Sequence, residues 1–461
     1  MKRVIASLLA LAAGACVGPR PAPPSSAAVT PPAAWQTSLP ATAPINAEWW
    51  QGFGDPVLTR IVGTALANNS DIAIAAARID EARAQFRLAR AQLLPNAGLV
   101  AGGDRERFLN AFGVGTYQTA GKAELSASYD LDLFGRLSSA SATARASLLS
   151  SQASYATVRL AVATSAASGY ITLRALDARL EILRETLTAR ENSVHITRRR
   201  AETGYTSELE RQQAEAEYQA TLQLIPVAEL AIRRQEDGLS LLLGANPRTI
   251  ERGAALDALT PLPVPATLPA ALLRDRPDIA QAEQQMIAAD RSLDAVRAAF
   301  MPDVRLSAAG GYVASTLIPD PVRIFSLGGS ILAPLFEGGA LRAQADAAAA
   351  RRDQAAFGYR RTALAAFRDV EDALAAIQRS SEQERALAGQ RDALAVALRL
   401  ATNRYLAGYA SYLDKLDAQR GLLGAELTLI QARADTLNAE VALYQSLGGG
   451  WSKDALTAGK E

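Results

Sequence analysis

Cysteine is almost absent. Cys16 is the only one in 461 residues, so no disulfide can form within the chain and the thiol has no partner for a metal site. Histidine is as scarce: His195 stands alone, with no Ser/His/Asp set, metal cluster or phosphate loop around it, and reads as a surface residue on a helix. Catalysis therefore has no candidates, and no cofactor is implied. Neither sign of charge is in excess, with 48 Lys and Arg against 47 Asp and Glu and no basic stripe, which leaves nothing to attract a nucleic acid. Past the N-terminus there is no apolar run of about 18 residues or more, so no transmembrane helix is available. A membrane crossing would have to be made by β-strands. Proline is missing from Leu137 to Thr203 and from Ala340 to Ala407, where only Gly169, Gly358 and Gly389 are weak points. Each stretch would run about 100 Å as one continuous helix, a rod for which a compact globular domain has no use.

The chain does hold an internal duplication. Asp71, Ile72, Ala73, Ala75, Ala82, Arg90, Ala91, Pro95 and Leu99 recur as Asp278, Ile279, Ala280, Ala282, Ala289, Arg297, Ala298, Pro302 and Leu306, each pair offset by 207 (302 − 95). Further on, Arg200, Gly204, Tyr205, Ser207, Leu209, Ala214, Leu243 and Gly244 recur as Arg404, Gly408, Tyr409, Ser411, Leu413, Ala418, Leu447 and Gly448, offset by 204 (408 − 204). A unit of about 200 residues is far longer than a solenoid repeat, so the two copies are halves of one architecture.

Met1 to Ala15 carries Lys2 and Arg3, an apolar run from Val4 to Ala13, and small residues before Cys16, which reads as an export signal too short to span a bilayer. Cys16 directly after Ala13-Gly14-Ala15 resembles a bacterial lipobox, in which the cysteine is acylated and becomes the first residue; Ala13 stands where that pattern prefers Leu. An ordinary signal peptide with a stray buried cysteine is the other reading. Val17, where inner-membrane retention would favour Asp, points by the same resemblance to the outer membrane. From Val17 to about Asn46 the chain is rich in Pro, Ala, Ser and Thr without periodicity, as expected of an extended, poorly ordered tether. The resulting division is a signal peptide over 1–15, a lipid-anchored linker over 16–46, a first repeat over 47–253, a second over 254–450 and a flexible tail over 451–461.

Apolar side chains fall at heptad spacing in Ile72, Ala75, Ile79, Ala82, Phe86, Ala89 and Leu93, and again in Leu173, Leu176, Leu180, Leu183 and Leu187 and in Leu423, Leu427, Ile430, Ala434, Leu437, Val441 and Tyr444. Left-handed coiled-coil packing is expected. Asp55-Pro56 has the form of an N-cap with proline at the first helical position, and Pro226 breaks a helix where the second copy has Ile430. Pro95 and Pro302 each end a helix and introduce residues alternating with period two. Lys122, Glu124, Ser126, Ser128, Asp130 and Asp132 face one way, and Ala123, Leu125, Ala127, Tyr129, Leu131 and Leu133 the other. The expected strand pairs cover about 97–133 and about 304–335, one hairpin per copy, with the pattern of membrane strands. A soluble β-domain capping a helical bundle would show the same alternation. Four strands cannot close a membrane barrel, since even the smallest need about eight, so the chain is expected to oligomerise.

Taken together, Cys16-Val17-Gly18-Pro19, Trp49-Trp50, Phe53-Gly54-Asp55-Pro56, the two helix-proline-strand junctions, Leu133-Phe134-Gly135-Arg136, Leu335-Phe336-Glu337-Gly338-Gly339 and the paired Gly-Tyr turns resemble a TolC/OprM-type outer-membrane efflux channel of the lipoprotein (NodT-like) branch. The motifs are short, and their order and duplication carry the likeness over the whole mature chain. It implies a homotrimer, with a twelve-stranded β-barrel of four strands per chain continuing into a long α-helical coiled-coil tunnel. It also implies a periplasmic adaptor (membrane fusion) protein, an inner-membrane pump of the resistance-nodulation-division type, and outer-membrane lipid as partners, with a covalent lipid on Cys16 and passive export of small molecules.

The two turns around Gly204-Tyr205 and Leu406-Ala407-Gly408-Tyr409 fall where the long helices reverse. The glycines suit a left-handed C-cap, and Ser207 with Glu210, like Ser411 with Asp414, has capping-box spacing, so helix capping explains both turns as structure. The resemblance adds adaptor docking at Gly204, Tyr205, Leu406, Gly408 and Tyr409. It further implies a periplasmic entrance gate at Asp414 and Asp417, three apart on one helix face, with Tyr405 holding it closed. Three copies would bring six carboxylates together, raising their pKa values and favouring cations; spacing alone makes them a capping residue and a solvated acid. A duct for type I protein secretion, and a coiled-coil lipoprotein that spaces the envelope without a pore, are the alternative functions.

Overall fold

The computed structural model describes residues 19–37, 45–109 and 111–454; Cys16 with its lipidation lies outside them, as does the tail from 455 onward. The first repeat begins with helix α1 (Pro56–Asn68), whose N-cap Asp55 accepts from the Val57 and Leu58 amides with proline at the first position. Helix α2 (Ser70–Ala91) leads past Pro95 into β1 (Asn96–Leu109) and β2 (Gly115–Leu131), followed by α3 (Arg136–Glu202), α4 (Glu208–Leu222) and α5 (Leu224–Leu242). The second repeat runs α6 (Leu272–Asp275), α7 (Pro277–Ala298), β3 (Asp303–Ser315), β4 (Val322–Leu332), α8 (Ala340–Leu406) and α9 (Tyr412–Ser446). The proline-free stretches are the two 67-residue helices α3 and α8. Pro226, having no N–H for the Leu222 carbonyl, sits just after the break between α4 and α5, while α9 runs 35 residues unbroken.

The described residues form two compact units. One comprises Ala77–Gln152, Gln281–Arg361 and the described part of Met1–Ala28. Its strands make one antiparallel sheet in the order β1-β2-β3-β4. The register sorts side chains by polarity: Leu125 lies between Leu99 and Gly310, and Gly310 faces Phe325, while Ala127, Ala308 and Leu327 make the next row of that face. On the other face Ser126, Ala309 and Ser326 are aligned, as are Asp130, Arg305 and Ser330, and Arg305 donates to Asp130 at 2.5 Å. Hairpin β1–β2 continues beyond Ala120, the residue opposite the end of β3 at Ser315, so β2 begins at Gly115, earlier than its alternation implies. That extension is a two-stranded ribbon with no third strand to impose a common apolar face.

The other unit comprises Val29–Ala76, Ala153–Ala280 and Thr362–Glu461 as far as described, and holds the main core. Trp49 stacks on Tyr444 at 5.4 Å, and Phe53, Leu58, Tyr170, Ile171 and Leu437 are fully or almost fully buried around them. The capping carboxylate of Asp55 is buried too, and accepts from the Tyr170 hydroxyl and the Ala254 amide, each at 2.9 Å. The duplication is visible at the helix ends. Gly244 at φ 67° and Gly448 at φ 88° each close a helix against the backbone of a preceding one, where an added Cβ would lie 2.4 Å from the Asn68 carbonyl oxygen and 2.0 Å from that of Asp275. Beside these contacts Asn69 donates to the Leu242 carbonyl and Arg276 to the Ser446 carbonyl, the same pairing in each copy.

The N-terminal segment is extended, yet over its described part it is held and not the poorly ordered tether its composition suggests. In the first unit Arg20 bridges Asp290 and Asp294, buried Arg352 donates to the Pro21 and Ala22 carbonyls, and Arg360 to those of Ser26 and Ala28. In the second unit the Trp35 indole donates to the Thr267 carbonyl and Glu371 accepts from the Gln36 amide.

Candidate functional site

Both helical hairpins turn on the same device. After α3, the Tyr205 amide bonds the Arg200 carbonyl at 2.8 Å and the Gly204 amide that of Ala201 at 3.0 Å; after α8, Tyr409 bonds Arg404 at 2.8 Å and Gly408 bonds Tyr405 at 3.1 Å. These are Schellman closures, with φ of 74° at Gly204 and 80° at Gly408. The closures employ only backbone, and leave the Tyr205 and Tyr409 rings 87% and 79% exposed, with Leu406 exposed beside them. Capping accounts for the glycines and leaves the apolar side chains without a structural task.

The next helices start differently in the two copies. Ser411 caps α9 in a complete capping box, its hydroxyl accepting from the Asp414 amide while the Asp414 carboxylate accepts from the Ser411 amide at 2.9 Å. Ser207 caps α4 through the Glu210 amide, but the Glu210 carboxylate does not return to it. It accepts from the Thr206 hydroxyl and, at 3.3 Å, from the hydroxyl of Tyr405. The reciprocal box expected in the first copy is thus half formed, because the Thr206 and Tyr405 hydroxyls supply competing donors.

Tyr405 is the hub of the cluster. It is buried against Val194, Ala214, Tyr412 and Leu416, with the Tyr412 ring edge-on at 5.6 Å, the Arg200 guanidinium 5.4 Å from its centroid and the Lys415 ammonium at 5.5 Å. Burial raises the pKa of both tyrosine hydroxyls, and Glu210 adds to the effect at Tyr405. One turn deeper, Glu217 holds Arg190 and Arg420 together, joining α3, α4 and α9. Sequence spacing marks Glu210 only as a capping residue and Arg200 only as a duplicated position, and it singles out neither Lys415 nor Glu217; the Tyr405 hydroxyl that reaches Glu210 is 195 residues away.

Asp414 and Asp417 are both exposed on α9. Within one chain the Ser411 hydroxyl and amide hold the Asp414 carboxyl below its ordinary range. Asp417 makes no hydrogen bond or ion pair among the described residues. No group of three or more His, Cys, Asp or Glu there could hold a metal ion.

The family described as outer membrane efflux protein matches residues 61–245 and 268–449, one block in each repeat. The probable efflux pump outer membrane protein TtgC of Pseudomonas putida is 36% identical over 418 residues, covering 87% of this chain and 85% of its own. The pyoverdine export outer membrane protein OpmQ of the same species is 33% identical over 451 residues, 95% of each chain. Among solved structures, the outer-membrane channel OprN superposes with a TM-score of 0.87 at 28% identity, covering 94% of this chain and 99% of that one. The open-state MtrE outer membrane channel of Neisseria gonorrhoeae gives 0.81 at 28% identity over 94% and 98%. On sequence, duplication and fold alike, this chain belongs to the outer membrane efflux protein family.

Proposed function

We propose that the chain is the passive exit duct of a tripartite efflux system, conducting small molecules from a periplasmic adaptor and a resistance-nodulation-division pump to the outside. The observation that carries this reading is the four-stranded sheet, apolar on one face, whose end strands β1 and β4 each have a neighbour on one side only among the described residues. Three copies joined edge to edge make a closed barrel of twelve strands, which removes every free edge and turns the apolar face to lipid. The energy for transport is supplied by the pump.

Within this reading the exposed rings of Tyr205 and Tyr409, with Leu406, dock the adaptor, and Gly204 and Gly408 shape the turns that present them. Asp414 and Asp417 form the carboxylate ring of the periplasmic entrance, and the Tyr405 to Glu210 hydrogen bond holds it shut by tying the two repeats together. Cys16 carries the lipid that anchors the N-terminus to the outer membrane, and incorporation of labelled palmitate that is lost in Cys16→Ser tests it. The reading as a whole is tested by single-channel conductance in planar bilayers. A low, cation-selective conductance that rises or loses selectivity in Asp414→Ala/Asp417→Ala is expected; a folded trimer that conducts nothing would rule out a duct.

A further inference from the structure

Lys415 is placed where local physics disfavours it. It lies in the first turn of α9, where the helix dipole repels a cation, and it is only 8% exposed. No carboxylate is bonded to it. Its one hydrogen bond among the described residues goes to the Ser193 hydroxyl of α3, at 3.2 Å. Burial and the Arg200 charge depress its pKa. A methionine would fill the same space without a buried charge, so the charge itself needs an account. What the ammonium does touch is aromatic: its Nζ lies 5.5 Å from the Tyr405 centroid and 5.9 Å from that of Tyr412.

We infer that Lys415 is a positioning residue of the periplasmic entrance: its ammonium, fixed to Ser193 and lying against the Tyr405 and Tyr412 rings, holds Tyr405 where its hydroxyl reaches Glu210. This rests on the reading of the Tyr405 to Glu210 bond as part of the closed entrance. Ser193 and Arg200 belong to α3, Glu210 to α4, Tyr405 to α8, and Lys415 and Tyr412 to α9, so the ammonium ties the second repeat to the first at the bond that closes them. Arg200 also lies over the Tyr405 ring, but it tops a turn whose carbonyl is already engaged by Tyr205. Lys415 is the member whose charge can be removed. Burial favours loss of the Lys415 proton as pH rises and opposes ionisation of the Tyr405 and Tyr412 hydroxyls; Arg200 and Glu210 are the charged neighbours of Tyr405, and Arg190 and Arg420 add to the charge around Tyr412.

The test is conductance of the full-length trimer in planar bilayers for wild type, Tyr405→Phe, Lys415→Met and the double variant, from neutral pH to about pH 10. Wild type is expected to open as pH rises. Lys415→Met should be open throughout, by about tenfold in the open to closed ratio, and flat with pH. The double variant should match Tyr405→Phe, since both changes release one bond. Lys415→Met closed like wild type while Tyr405→Phe is open would overturn the inference and leave the latch standing. Additive effects would also overturn it, since Lys415 would then act by packing alone. Tyr405→Phe behaving as wild type would remove the latch and the inference with it. The wild-type pH profile and Ser193→Ala, which keeps the charge but frees the ammonium, test the same link should Lys415→Met fail to assemble; no alkaline opening and a wild-type Ser193→Ala would again overturn it.

Discussion

Glu210 and Asp414 hold equivalent positions in the two repeats, 204 apart, and bond differently: Asp414 accepts from the amide of its own N-cap Ser411 at 2.9 Å, whereas Glu210 accepts from the Tyr405 hydroxyl of the other repeat at 3.3 Å. One duplicated motif has become a local cap in one copy and a long-range tie in the other.

Glu210→Asp should exchange these roles. Shortened by one methylene, the carboxylate loses reach to Tyr405 and gains the geometry that Asp414 has at Ser411. Higher conductance with an unchanged melting temperature is the expected pair of results, read by planar-bilayer recording and by thermal unfolding of the purified trimer.

Gly448→Ala should be among the most damaging single-methyl additions in the chain. The Cβ would meet the Asp275 carbonyl oxygen at 2.0 Å, on a backbone of φ 88° that disfavours any side chain. A cost of about 3 kcal/mol or more is expected, with Gly244→Ala similar because it repeats the contact at Asn68. Gly424, within α9 and with nothing near its Cβ direction, should tolerate alanine, and trimer yield compares the three.

Leu327 and Ser326 are adjacent in β4 but belong to opposite faces of the sheet. Leu327→Arg puts a charge on the apolar face and should cost about 2–4 kcal/mol near the bilayer midplane, reducing assembly into the outer membrane. Ser326→Arg should assemble normally and alter conductance. Equal assembly of both would contradict the assignment of the apolar face to lipid.

Glu440, 5% exposed in α9, has its pKa raised from 4.5 to about 7 by burial, against the opposing Leu262 amide at 2.8 Å. A carboxyl more basic in the folded than in the unfolded chain contributes stability that is complete below pH 4.5 and is lost as pH rises through about 7. The loss is of order 3 kcal/mol at full ionisation. Glu440→Gln keeps the acceptor for Leu262 and should flatten thermal stability across this range, making the variant the more stable protein at neutral pH.

Much of this architecture was legible before any coordinates. The proline-free stretches mark α3 and α8 to within a residue, Pro226 marks the one broken helix, and period-two alternation marks the β2 to β4 rows, because these features follow from local backbone rules. The cluster around Tyr405 was legible only in part. Lys415 sits in a charged run, Tyr412-Leu413-Asp414-Lys415-Leu416-Asp417, that looks solvated; its burial depends on Ser193 of α3 and Tyr405 of α8, which no spacing reveals. Glu210 has the look of a cap because the motif is the same in both copies, and the Tyr405 hydroxyl that reaches it is remote in sequence. The number three came from family resemblance, since strand count alone demands only more than one chain.

The grip on the N-terminal segment has a consequence for how this protein can change. Arg352 and Arg360 hold Pro21, Ala22, Ser26 and Ala28 by their carbonyl oxygens, groups that every amino acid carries. Mutation can therefore rewrite those four positions without losing the attachment, while loss of either arginine removes two anchoring points at once. A stretch that reads as low-complexity filler is free to drift because the information that fixes it is written elsewhere, in a helix more than three hundred residues along the chain.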